Sequence, residues 1–131
     1  MKVLIVDPDW RFAQQITSHL EAHAHLVVHQ STGIEALDRI RHWGPELVIL
    51  AAEAAENGLV ESIQLLQPRP AVLLTEYLDR YDRAWRVWQK GGDDLLIKPV
   101  FCWDDVQEAM VTALENAAVG RRIQPHTRAS A

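Results

Sequence analysis

Short unbroken apolar runs alternate with stretches where apolar residues recur every three or four positions, and this continues through most of the chain. Lys2 to Val6 reads KVLIV, a β-branched run of the kind that forms strands buried on both faces. Phe12, Ile16 and Leu20 then recur at helical spacing, with Asp9 placed to cap that helix. Leu26 to His29 predicts a second strand, and in GIEALDRIRHW the residues Ile34, Leu37 and Ile40 share one helical face. Leu47 to Leu50, entered through Gly44 and Pro45, predicts a third strand. A third helix over about Gly58 to Leu66 closes at QPRP, and Ala71 to Thr75 predicts a fourth strand. Residues 79 to 90 predict a helix stopped by Gly91-Gly92, Leu95 to Ile97 a fifth strand, and Asp104 to Ala118 a last helix with acidic residues at its start.

Strand followed by helix, joined by short connections, implies right-handed crossovers and a parallel sheet covered on both faces. The expected fold is a single doubly wound (βα)5 domain over residues 1–118. Residues 119–131 hold three arginines, a proline and little apolar content, so they read as a disordered tail or linker.

A chain of 131 residues with 48% hydrophobic and 24% charged residues can bury one core as a soluble domain. A formal net charge of -5 leaves no basic surplus to neutralise phosphates, which argues against a dedicated nucleic-acid binder. Cys102 is the only cysteine and has no internal disulfide partner. The apolar run in MKVLIV is too short for a signal peptide and no run is long enough to span a membrane, so a cytoplasmic location is expected.

In an open parallel sheet, ligands bind beyond the carboxyl ends of the strands. The residues to inspect are therefore Asp7, Pro8 and Asp9, then Ala51 to Glu53, then Thr75 and Glu76, then Lys98 and Pro99. VLIVDPD, PELVIL before Ala51, AVLLT and GGDDLLIKP together resemble, in order and spacing, the receiver domain of two-component response regulators. The resemblance covers about residues 1–118 and implies a CheY-like (flavodoxin-like) sheet of order 2-1-3-4-5.

It also implies a site: an Asp ending the third strand accepts a phosphoryl group, an acidic pair after the first strand holds Mg2+, and a Thr and a Lys contact the phosphoryl oxygens. Transferred residue by residue, the acceptor position is Ala51 and the acidic pair falls on Asp7 and Pro8, so an acceptor and one ligand are missing. Thr75 and Lys98 match, as does Pro99, whose preceding bond is typically cis in the family. Leu95 stands where the family has a switch aromatic, and the loop AAEAAENG is one residue short. No cofactor or metal is expected.

Glu53 could replace the acceptor, but in an alanine-rich loop it reads as a solvated glutamate. Asp9 could join Asp7 around a cation, although its spacing from Phe12 suits a helix cap. Lys98, deprived of its usual partner, is expected to pair directly with Asp7. His19, His23, His25 and His29 read as structural for want of a third ligand, and Cys102 as a small packing residue. Trp10 and Trp43 are expected to be partly buried.

Tyr81, Trp85 and Trp88 lie on one stripe of the fourth helix, flanked by Arg83 and Arg86. If Ala84 and Val87 cover the sheet, that stripe is exposed and has the composition of a binding hot spot. The receiver resemblance places partner contacts on the fourth helix, fifth strand and fifth helix, so Tyr81, Trp85, Trp88, Asp94 and Leu95 are the candidate interface for a protein partner or a second copy. The function expected is a phosphorylation-independent pseudo-receiver in bacterial signalling or transcription regulation, not an enzyme. The alternatives are a phosphoacceptor using Glu53 or Asp9, a small-anion sensor using the pocket vacated at Ala51, and a regulator reaching nucleic acid through an output domain outside this chain.

Overall fold

The strand β1 (Lys2–Val6) lies near the middle of a parallel five-stranded sheet with β2 (Leu26–Gln30), β3 (Leu47–Ala51), β4 (Ala71–Tyr77) and β5 (Asp94–Lys98), ordered 2-1-3-4-5. The computed structural model describes residues 1–55 and 57–120. Five helices connect and follow the strands: α1 (Trp10–Ala22), α2 (Ala36–Trp43), α3 (Leu59–Gln64), α4 (Tyr81–Trp88) and α5 (Trp103–Val119). Single 3-10 turns at Ala52–Ala55 and Leu78–Arg80 follow β3 and β4.

The period-two alternation of strand side chains divides the core into two layers. Leu4, Val6, Val48, Leu50, Val72 and Leu74 face α2, α3 and α4, where Ile40, Ile63, Ala84, Val87 and Trp88 meet them. Val3, Ile5, Leu47, Ile49 and Leu73 face α1 and α5, packing on Phe12, Ile16, Leu20, Val106 and Met110. Continuous apolar runs are thus what a sheet buried on both faces requires.

Several expectations shift. The strands β4 and β5 extend further than the apolar runs, to Tyr77 and Lys98, because the ladder carries polar residues out to the site. The helix α2 starts only at Ala36, so Ile34 lies in the preceding turn, 85% exposed rather than on the core face with Ile40. Trp10, at the first position of α1, is 57% exposed, since the core-facing stripe of that helix begins at Phe12. Cys102 is exposed at the start of α5 and does not serve as a packing residue.

The aromatic stripe of α4 is also corrected. Trp88 is only 6% exposed and joins Ala84 and Val87 in the core, while Tyr81 and Trp85 are half-buried at its margin. Gly92 sits close beneath this layer: at φ 109°, a Cβ there would stand 2.9 Å from Leu74 Cδ1. Asp94 and Leu95 are 1% exposed. Gly120 ends α5 at φ 63°, and the remainder of the expected tail, residues 121–131, lies outside the described residues.

Candidate functional site

At the carboxyl edge of the sheet, β1 delivers Asp7 and β5 delivers Lys98 into one pocket. Lys98 Nζ donates to Asp7 Oδ2 at 2.8 Å, and the two residues are 4% and 1% exposed. The other carboxylate oxygen of Asp7 accepts the backbone N–H of Asp9 at 2.8 Å. The ring of His29 donates through Nε2 to the Asp7 carbonyl at 2.8 Å, fixing the strand end from β2. The ammonium also lies 4.5 Å from the centre of the Phe12 ring and 4.9 Å from that of Tyr77, within cation–π range. A buried ammonium needs such compensation, and here a carboxylate and two aromatic faces supply it. The Lys98–Pro99 bond is cis.

Asp9 takes the capping role. Its Oδ1 accepts from the backbone N–H groups of Arg11 and Phe12 at 3.2 and 3.3 Å, and its Oδ2 accepts the Tyr77 hydroxyl at 2.6 Å. The Tyr77 hydrogen bond is the leading cause that holds the Asp9 carboxyl below its ordinary range, with cap bonds and Lys98 assisting against burial. The same bond, with burial second, pushes the Tyr77 phenol up to about 12.

The remaining positions diverge. Ala51 ends β3 with its methyl buried, in register with Thr75 on β4. Thr75 is fully buried, and its hydroxyl has no hydrogen-bond partner among the described residues. Glu53 does not turn into this pocket: its side chain is 58% exposed, 3.9 Å from Arg83. With Pro8, Ser31, Thr32 and Ser62 it lines a neighbouring open cleft of about 570 Å3. Pro99 is exposed and lines a shallow cleft with Asp9, Phe12 and Tyr77.

Two ion pairs escaped the sequence reading. Glu76, 3% exposed, accepts Arg83 of α4 through both carboxylate oxygens, with the Nη2–Oε1 bond at 3.0 Å. Asp93 accepts Arg69 through two bonds of 2.9 Å and the Val72 N–H at 2.7 Å. Acidic residues at the margins of apolar runs were the available signal, but nothing local identifies their cations.

A Mg2+ site does not fit these residues. Ala51 and Pro8 offer no carboxylate, and both oxygens of Asp7 are already engaged by protein donors. Among the described residues, no group of three or more His, Cys, Asp or Glu side chains is arranged to hold a metal ion. His19 and His23 instead stack on Trp103, with centroids 4.8 and 5.3 Å away, and His25 meets the terminal amine through Nδ1 at 3.0 Å.

No protein-family model matches the sequence, and no curated protein matches it significantly. Solved structures do match. NtrX of Brucella abortus, crystallised with ADP, superposes with a TM-score of 0.78 at 22% identity over 91% of this chain and 27% of that longer one. The fold is that of a receiver domain. A response regulator receiver domain protein from Clostridium thermocellum gives 0.74 at 22% identity, covering 90% of this chain and 97% of that one. A Francisella response regulator receiver domain gives 0.71 at 20% identity over 88% and 98%. Among the described residues, no helix of this receiver fold is long and apolar enough to cross a membrane.

Proposed function

We propose that the domain is a phosphorylation-independent receiver module of a bacterial signalling or regulatory system, working by protein contact and not by phosphoryl chemistry. The observation that carries this reading is the Lys98–Asp7 bond, made in the pocket where Ala51 stands at the acceptor position. An ammonium that would contact a phosphoryl oxygen is neutralised internally by Asp7, and Ala51 offers no carboxylate nucleophile at the end of β3. A displaced acceptor gains little support, because Glu53 points to the rim and Asp9 is engaged by Tyr77 and the helix amides. A small-anion sensor would have to break the Lys98–Asp7 pair.

The partner surface is the α4–β5–α5 face, contacted by a protein or by a second copy. With Trp88, Asp94 and Leu95 buried, its accessible part is Tyr81 and Trp85 at the margin of α4, beside Arg86 and Lys90. The exposed side of α5 carries Asp104, Glu115 and Val111. The exposed part of α4 carries both signs, Arg86 lying 3.8 Å from Asp82, which suits a mixed-charge interface.

The test is a titration with Mg2+ and then beryllofluoride, followed by tryptophan fluorescence, since exposed Trp10 adjoins Asp9. The expected result is no saturable response at millimolar concentration. A saturable response that disappears in Glu53→Gln or Asp9→Ser would overturn the reading and assign the acceptor or ligand role to that residue.

A further inference from the structure

A continuous run of hydrogen bonds connects the start of α1 to α4. Asp9, the α1 cap, accepts the Tyr77 hydroxyl at 2.6 Å; the Tyr77 backbone N–H donates to Glu76 Oε1 at 3.0 Å; and Glu76 is gripped by Arg83 of α4. The Tyr77 ring simultaneously lies over Lys98, 4.9 Å from Nζ. Asp7, Phe12, Thr75 and Lys98 are buried, whereas Tyr77, which covers the ammonium, is 38% exposed. It can therefore swing into solvent without opening the core.

We propose that Tyr77 is a latch: its phenol, bonded to Asp9, holds the turn after β4 closed over the Lys98–Asp7 pair and keeps α4 in one position. This rests on the reading of the domain as a phosphorylation-independent module, and it supplies the restraint by which the α4 surface is held in a single state. The bond has the length of a charge-assisted O–H to carboxylate contact, the stronger kind of hydrogen bond. Its two ends come from segments 68 residues apart, so breaking it frees both at once. The Glu76–Arg83 link would then hold α4 to β4 with no connection through Tyr77 to α1. Opening would also uncover the aromatic wall of Lys98 and admit water to the ion pair.

Amide hydrogen exchange on the full chain tests this. Tyr77→Phe keeps the ring and removes only the hydroxyl, so exchange in residues 77–83 and 9–12 should accelerate about ten-fold while the β3 and α5 amides keep their rates. Asp9→Ser retains a good helix cap but withdraws the carboxylate from reach. It should reproduce the effect in residues 77–83, and Tyr77→Phe should add nothing in its background. Unchanged exchange in Tyr77→Phe, or a full additional effect in the Asp9→Ser background, would overturn the latch. The fluorescence titration of the unmodified protein decides the functional reading separately, because a response to beryllofluoride leaves the exchange result standing.

Discussion

Lys98 donates to Asp7 across 2.8 Å, joining the ends of β5 and β1 in a pocket that excludes water from both side chains. Removing one partner leaves the other as an uncompensated buried charge, which costs about 3–5 kcal/mol. Lys98→Met should therefore destabilise the domain by about that amount in urea unfolding, and Asp7→Asn in the same chain should restore most of it. A Lys98→Met protein within about 1 kcal/mol of wild type would mean that water reaches Asp7.

The Arg69–Asp93 pair ties the turn before β4 to the start of β5. Asp93 is 1% exposed and also accepts the Val72 N–H, so Arg69→Ala strands a carboxylate that cannot turn to water. A loss of about 3 kcal/mol is expected by chemical denaturation, far above the usual cost of breaking a surface ion pair. The exposed Arg86–Asp82 pair is the control, and Asp82→Ala should change stability by less than about 1 kcal/mol.

Trp88 and Trp85 should separate core from surface. Trp88→Ala removes a buried indole from the core layer that holds Leu74, Ala84 and Val87 and should cost about 3–5 kcal/mol. Trp85→Ala, at the half-buried margin, should cost less than about 2 kcal/mol while weakening partner or self-association measured by sedimentation. Equal stability losses would mean that both rings are core.

Tyr77 gives a distinct alkaline signature. Its phenol in the folded protein is pushed from 10.0 to about 12, so the bond's stabilisation is complete below pH 10 and is lost as pH rises towards about 12. Asp9, lowered from 3.8, contributes above that value and loses its contribution as pH falls below it. Subtracting the stability–pH curve of Tyr77→Phe from that of wild type should give a difference that declines between these alkaline limits. A flat difference there would mean that the hydroxyl is not held by Asp9.

Much of the site was legible because it is defined by order. KVLIV followed by an acid, an apolar run ending at Ala51, and a Lys-Pro after the last strand locate the carboxyl edge. Charge balance then leads directly to Lys98 and Asp7: a lysine without its usual partner must find another carboxylate within reach. The Asp9 cap was equally local, since its acceptors for α1 amides lie two and three residues away.

Periodicity alone settles that strands alternate with helices and that the sheet is parallel, because a residue's face depends on its own element's repeat. Residue identity alone puts a methyl and no carboxylate at the end of β3, where Ala51 stands. Which of two plausible helix faces goes inward is a different matter. Trp88 is core because it packs with Ala84 and Val87 in the layer under α4, and Ile34 is outside because its helix starts two residues later. The pairs Tyr77–Asp9, Arg83–Glu76 and Arg69–Asp93 likewise depend on where separate loops come to rest. Hydrogen bonds and ion pairs act over a few ångströms in space, not along the chain, so only tertiary packing brings such partners within reach.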